Sequence, residues 1–543
     1  MKFVIIDALG SERGARRFTR DVIGAGPRMI AGILKKFAIN SQIMTAEQFL
    51  NTKKHSSEIN GLFVSAMTMD FYAVKRVIRK WEQISKNNER IPLNILGGSI
   101  TAAFNTILSQ LNFNIAIIGE AEETLSDLIQ KDILKTGINF SVLEKIPGIA
   151  YRSSQNIIKT PRRPFISKDQ LNSFHPSTQH ITDYPFYRAA RIFIECVRGC
   201  SNFHRTKIEL PDGRICNNCG TCLAAELTKR LNCPLSIPPG CGYCSVPALY
   251  GPPRSRSITN IIKEMKELIN LGVSRLILGA SDFLDYQREE LTAPSPLTDP
   301  RDPPPNYKEI ENLLAHIAQL IADTEIYISI ENIKASLFTE KAAALLASYL
   351  PNTTLSIGCE TGSKAHSQQL GRPFLPEEVL KAVNIAKKHN LRSHVYFIHG
   401  LPGQTLQTAI QTSRFMRKLA ESGIDKITIY KFKPIPMSAF EGVAMPSSAP
   451  DNKASKLIVD IAIQINQEKK RELIGSIEKV IVSELSKRDK SQAVGYPLRG
   501  GPTILIDNGA NFLNKIVNVK INRVLSDKLV GGHIISRQED ISK

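Results

Sequence analysis

Two stretches decide how this chain is read: "RGCSNFHR" at Arg198–Arg205 and "IPPGCGYCSVP" at Ile237–Pro247. The first opens like a metal motif and does not finish it. The second finishes a motif that has not begun. With residues 201–237 set aside, the chain runs ECVRGC–PPGCGYCSVP, and Cys200, Cys241 and Cys244 stand in a C-x3-C-x2-C spacing. Three thiolates on a tight loop can hold three irons of a [4Fe–4S] cube and leave the fourth iron open, whereas a fully ligated electron-transfer cluster uses four cysteines. An open iron is what a cluster needs if it binds a substrate or cofactor directly.

Cysteine usage across the chain agrees with metal. Of nine cysteines, none precedes Cys196, eight fall between Cys196 and Cys244, and Cys359 stands apart. Clustering at two-residue spacings favours metal over disulfides in a reducing compartment. No run of 18 apolar residues exists, so no membrane-spanning helix is expected. The opening "MKFVIIDALGSERG" reads as a first β-strand rather than a signal peptide, and a cytoplasmic location is expected. The formal net charge of +19 suggests an anionic partner, RNA or a membrane surface, with a solvated basic surface as the plain alternative.

At 543 residues the chain should hold roughly two to four domains. The expected class is α/β. Residues 1–145 alternate apolar strands ("KFVIID", "IPLNILGG", "NIAIIGE") with helices, the pattern of a Rossmann-like open parallel sheet. Residues 146–185 are proline-bearing and read as an irregular linker. From 186 to 445 the alternation resumes as a partial or full (β/α) barrel, whose chemistry belongs at the carboxyl ends of the strands. The proline-rich "LTAPSPLTDPRDPPPN", Leu291–Asn306, reads as a stiff loop on that face. A helical connector over 446–472 leads to a small all-β barrel over 473–543.

The segment 201–237 is then a Cys-rich insert at the mouth of the barrel. Its "CNNCGTC" carries Cys216, Cys219 and Cys222, and Cys233 is followed by Pro234. This is similar to a ferredoxin-type C-x2-C-x2-C…C-P run with a stretched last gap. Two readings stand: a second iron–sulfur cluster, or a four-cysteine zinc knuckle stapling a loop with little core. Cys196 could replace one ligand, and it shares the x3 spacing with Cys200.

The joined motif, the following "SVP" and the barrel resemble the radical S-adenosylmethionine (SAM) superfamily over roughly residues 186–441. The resemblance implies that the open iron chelates SAM, and that one electron cleaves SAM to a 5′-deoxyadenosyl radical. The electron would come from a donor such as ferredoxin or flavodoxin. "LILGASD" occupies the position of the family's Gly-Gly-Glu strand end and offers Ser281 and Asp282 instead. "IGCETGS" and "YFIHGLPGQT" match later strand ends, which implies SAM contacts for Glu360 and Gly400, and Glu331 in "SIEN" is another strand-end acid.

The N-terminal sheet resembles the cobalamin-binding domain that precedes many radical SAM barrels, through "ILGGS" and "IIGEAEET". The Asp-x-His-x-x-Gly signature is absent and the first histidine is His55, so either cobalamin binds without a protein ligand or the domain has lost it. By position the domain also resembles the N-terminal domain of methylthiotransferases, without that domain's three cysteines. The C-terminal barrel resembles the RNA-binding TRAM domain through "NKIVNVKINRVLSDKLVGGHII", with Lys515, Lys520, Arg523 and Lys528 interspersed among apolar residues. The expected function is radical modification of tRNA or rRNA, by methylation or methylthiolation. The rivals are the same chemistry on an unactivated carbon of a lipid or other small substrate, and an RNA-binding protein that keeps a structural cluster.

Overall fold

A computed structural model describes residues 2–16, 20–52, 59–85, 92–154 and 156–535; His55 lies outside the described residues. The chain divides into two compact units, Met1–Tyr187 with Thr259–Leu271, and Arg188–Ile258 with Gly272–Lys543.

The first unit is built on β1 (Lys2–Asp7), β2 (Asn40–Thr45), β3 (Ile59–Ser65), β4 (Leu93–Gly97) and β5 (Ile115–Ile117). These five run parallel in the order β2-β1-β3-β4-β5. The burial of Phe3 to Asp7 without a break is the signature of a central parallel strand covered on both faces. The stretch expected to be irregular contains a hairpin, β6 (Ile149–Ser153) and β7 (Asn156–Lys159), which extends the sheet antiparallel from β5. Its apolar run Ile149–Tyr151 is short and follows Pro147, so turn residues mask the strand signal.

The second unit carries six parallel strands in chain order: β8 (Arg191–Arg198), β9 (Arg275–Ala280), β10 (Tyr327–Ile333), β11 (Thr354–Glu360), β12 (Arg392–His399) and β13 (Lys426–Lys431). β8 and β13 do not pair with one another in this sheet, so it is a half-barrel. Along β12 the pattern alternates: Ser393, Val395, Phe397 and His399 are buried, while Arg392, His394, Tyr396 and Ile398 are half-buried. The period of two puts the two sets on opposite faces, with Val395 and Phe397 in the buried one and the half-buried one mainly polar.

Strands β14 (Ile477–Leu485), β15 (Ala493–Pro497), β16 (Thr503–Asp507), β17 (Ile516–Val524) and β18 (Leu529–Ile534) form a closed barrel. Its core is Val480, Val482, Ala493, Ile504, Ile506, Val519, Ile521 and Val530. This barrel sits on the amino-terminal ends of the half-barrel strands. Arg392 Nη1, at the start of β12, donates to the carbonyls of Arg499 and Gly500 at 2.8 Å each. The Arg275 guanidinium, at the start of β9, stacks 5.5 Å from the Tyr496 ring centroid, beside the cluster of Ala189, Ile481, Tyr496 and Leu498.

Candidate active site

The opposite, carboxyl ends of the half-barrel strands carry the cysteine loop. β8 ends at Arg198, and Gly199 turns the chain with φ +90°; a Cβ there would lie 2.2 Å from the Pro252 carbonyl oxygen. Cys200 N then donates to Gly251 O at 3.0 Å. The insert leaves from this point and returns at Ile237. Cys244 N closes a tight turn on Cys241 O at 2.8 Å. Gly242 inside that turn faces the Phe440 ring, which a Cβ would approach to 2.4 Å. Residues on the two sides of the insert thus lie against one another.

Buried Asn202 ties the loop together. Its backbone N–H donates to Cys200 Sγ at 3.4 Å, and its Nδ2 donates to Cys241 Sγ at 3.3 Å and to Gly371 O at 3.1 Å. Burial and the neighbouring sulfurs of Cys241 and Cys200 push the Cys244 thiol up to about 12. Such a set is unfavourable as bare thiolates and suits a positively charged guest. No group of three His, Cys, Asp or Glu side chains among the described residues closes tightly enough to hold one metal ion. Three cysteine sulfurs gathered in one loop are the donor type that a four-iron cluster takes, so the loop fits a cluster in chemistry. Cys196 is fully buried in β8, with Sγ toward Ile194 O at 3.6 Å.

Beneath Cys200 lies a buried ion cluster that no local sequence signal announces. Lys334 Nζ donates to Ser201 Oγ at 2.7 Å and to Asp285 Oδ2 at 2.8 Å, and lies 3.5 Å from Asp282 Oδ2. Ser201 Oγ also donates to Asp285, and Arg288 Nη1 donates to Asp285 Oδ1 at 2.5 Å. Burial opposes the ammonium of Lys334, but Asp285, Cys200 and Asp282 together hold it charged, above the usual lysine range. Asp282, at the end of β9, is fully buried; it accepts from Leu284 N and Lys334 N, and burial pushes its carboxyl up to about 6. Ser281 beside it is half-buried.

Glu360 ends β11 in a left-handed conformation, φ +67°. Arg372 stands beside it: Nη1 donates to Tyr243 OH at 2.5 Å and lies 3.4 Å from Glu360 Oε1, while Nη2 donates to Gly358 O at 2.7 Å. Burial raises the Glu360 carboxyl despite this guanidinium. Tyr243 lies between Cys241 and Cys244, so Arg372 joins the cysteine loop to the β11 end. Glu331 sits on the inner face of β10, where Tyr396 OH approaches Oε1 at 3.4 Å and burial raises its carboxyl. Gly400, φ +76°, follows β12; a Cβ would lie 2.8 Å from Pro446. Asn202, Lys334 and Arg372 carry no spacing signal in the sequence; Asn202 sits two residues past Cys200, and crossovers bring in the other two.

In the insert, Cys216, Cys219, Cys222 and Cys233 all line one cavity of about 670 Å³. Arg205, buried, donates from Nη1 to Cys222 Sγ at 2.6 Å and from Nε to Ile237 O at 2.7 Å.

On the C-terminal barrel, Lys515, Lys520 and Lys528 are exposed. Arg523 is half-buried and grips Asp507 with both Nη atoms, at 2.8 and 2.9 Å.

At the carboxyl edge of the first unit the residues after β1 are engaged with one another. At the switch point between β1 and β3, Asp70 accepts from Gly10 N, Glu12 N and Met67 N, which ties the loop after β1 to the end of β3. Asp7 is engaged by Arg16 at 2.6 Å and Tyr184 OH at 2.8 Å. Gly98 is explained by packing, since a Cβ would lie 2.3 Å from Ala66 O. Among the described residues no histidine follows β1 there.

Known proteins agree with this layout. The model of the Radical SAM superfamily matches residues 232–416, which include Cys241 and Cys244 and leave Cys200 across the insert. The protein MJ1620 of Methanocaldococcus jannaschii is 42% identical over 98% of this chain and 98% of its own. A tRNA-2-methylthio-N(6)-dimethylallyladenosine synthase of Sulfurihydrogenibium is 24% identical over 54% of this chain and 63% of its own. Structures of the radical SAM methyltransferase TsrM from Kitasatospora setae, one with tryptophan and a SAM analogue and one with cobalamin and a [4Fe–4S] cluster, are 12% identical and cover 80% of this chain, with TM-scores of 0.54 and 0.53. They cover 75% and 74% of the TsrM chain and share its fold. The closed five-stranded barrel fits a TRAM-like domain. With its half-barrel, its cysteine loop and its relatives taken together, the chain belongs to the radical SAM superfamily of enzymes, in one family with MJ1620.

Proposed function

We propose that this radical SAM enzyme modifies RNA, with Cys200, Cys241 and Cys244 as the ligands of the SAM-cleaving cluster. The observation that carries the site is the Asn202 bridge, which holds Cys200 and Cys241 in one loop across the insert. A bound [4Fe–4S] cluster with an open iron would supply the electron that cleaves SAM. The chain's own residues do the rest. Arg372 holds Glu360 and Tyr243 beside the loop, so that Glu360 can face the methionine or ribose part of SAM. Ser281 and Asp282 close the β9 side, with Asp282 acting through Lys334. Gly400, packed against Pro446 at the β12 end, would bring backbone to the adenine side, and Glu331 pairs with Tyr396 on β10. The insert cysteines hold a second metal centre.

RNA as substrate is supported by the TRAM-like barrel with Lys515, Lys520 and Lys528 exposed on it, by the charge of +19, and by the methylthio-synthase relative, whose name places its product in tRNA. The barrel sits on the amino ends of strands six to eight residues long, so an RNA held there must reach about 20–25 Å to the cysteine loop. That favours a folded RNA over a short single strand. The test is mass spectrometry of tRNA and rRNA nucleosides from a deletion strain and its parent. A nucleoside missing from the deletion strain, heavier in the parent by a methyl or methylthio group, is expected. Identical profiles would turn the reading to lipids or other unactivated carbons.

A further inference from the structure

Residues 211–236 contain no buried residue, although they leave and rejoin the best-packed loop of the site. Their regular structure is one 3-10 turn, Thr221–Leu223, and one five-residue helix, Leu227–Leu231. A segment of this length with no core of its own needs a staple. Four of the chain's nine cysteines fall here, and all four face one cavity. Left-handed residues stand between successive cysteines, Asn218 at φ +55° and Gly220 at φ +78°. Gly220 has open space where a Cβ would go, so packing does not require its conformation. The two turns wind Cys216, Cys219 and Cys222 around the cavity wall.

We infer that the insert holds a second four-iron cluster, ligated by Cys216, Cys219, Cys222 and Cys233, and that this centre shares the wall Gly371–Arg372 with the primary site. This deepens the second metal centre proposed above by naming it. Four observations carry it. The repeated two-residue spacing followed by Cys-Pro belongs to cluster loops, whereas zinc knuckles pair their cysteines. All four thiols line one cavity of about 670 Å³, which offers room for a cube of iron and sulfide among them. Arg205 is buried and pinned by carbonyls of Ile237 and Arg230, and aims Nη1 at Cys222 Sγ. A fixed N–H donor on a ligating sulfur is a device that stabilises the more reduced cluster. Finally, Gly371 and Arg372 line the cavity, while Gly371 O accepts from Asn202 and Arg372 bonds Tyr243 in the primary loop.

The test uses the full chain, reconstituted anaerobically with iron and sulfide. Iron, acid-labile sulfide and zinc per chain are measured for the wild type, for Cys216→Ser/Cys219→Ser/Cys222→Ser, and for Cys200→Ala/Cys241→Ala/Cys244→Ala. The expected result is that each triple variant retains half of the wild-type iron and that only the second loses SAM cleavage. One zinc per chain, with iron unchanged in the insert variant, overturns the inference and leaves the SAM-cleaving site standing. SAM cleavage surviving in the second variant sinks that site and leaves the insert cluster standing. Mössbauer spectroscopy of the wild type decides without any variant: two distinct four-iron components are expected, and a single one contradicts the second cluster. Arg205→Gln should shift the redox titration of the insert component alone.

Discussion

Lys334 and Asp285 form a buried ion pair, Nζ to Oδ2 at 2.8 Å, one residue along the chain from Cys200 by way of the shared Ser201 hydroxyl. The pair fixes the floor of the cysteine loop. Its formation by residues that follow different strands explains why the loop can stay ordered although an insert interrupts its motif.

Removing the cation should be costly. Lys334→Met leaves Asp282 and Asp285 buried with only Arg288 to answer them, and a loss of about 3–5 kcal/mol of unfolding free energy is expected. Urea denaturation checks this. The double variant Lys334→Met/Asp285→Asn should lose less than the sum of its single changes. A loss under about 1 kcal/mol for Lys334→Met would mean the pair is solvated.

The turn before Cys200 has no room for a side chain. Gly199→Ala combines a left-handed φ of +90° with a 2.2 Å approach to Pro252 O. A destabilisation of about 2–4 kcal/mol is expected, together with a fall in reconstituted iron. Wild-type iron content and stability would show that the turn can refold around a methyl group.

Lys470 gives a pH dependence. Its amine is buried and donates to Asn466 O at 3.3 Å, and burial lowers it from 10.5 to about 8. Between those values the unfolded chain binds the extra proton, so stability rises with pH across that window, and below about pH 8 the cost of the buried charge is fully present. Relative to Lys470→Met, the wild type should gain about 2–3 kcal/mol between about pH 7.5 and pH 10. A constant difference between the two proteins would place the amine in water.

The lysines of the C-terminal barrel should act through phosphate. Lys515→Ala/Lys520→Ala/Lys528→Ala should weaken RNA binding across sequences and reduce the slope of log K against log salt by about 0.7–0.9 for each phosphate no longer neutralised. Arg523→Ala should leave that slope nearly unchanged, because both of its Nη atoms are spent on Asp507. Filter binding at several salt concentrations distinguishes them. An unchanged slope in the triple variant would remove the barrel as the RNA surface.

Much of this layout is written in the sequence, for physical reasons. Parallel strands buried on both faces read as unbroken apolar runs, and Phe3–Asp7 is nearly one. The three-cysteine loop is legible because thiol spacing is local once residues 201–237 are set aside. The hairpin at 149–159 is hidden because Pro147 and Pro161 bracket strands of only five and four residues. Lys334 and Arg372 are invisible because nothing local marks a polar residue as a partner; strand crossovers bring them to Cys200 and Glu360. Asp282 reads in sequence as a strand-end acid open to ligand, and the fold engages it with Lys334 from the end of the neighbouring strand.

The most direct measurement is 5′-deoxyadenosine formation from SAM by the anaerobically reduced, reconstituted full chain, compared with Cys200→Ala, Cys241→Ala and Cys244→Ala. SAM cleavage by the wild type and its loss in all three variants is expected. Cleavage retained in Cys200→Ala would contradict the joining of the two halves across the insert.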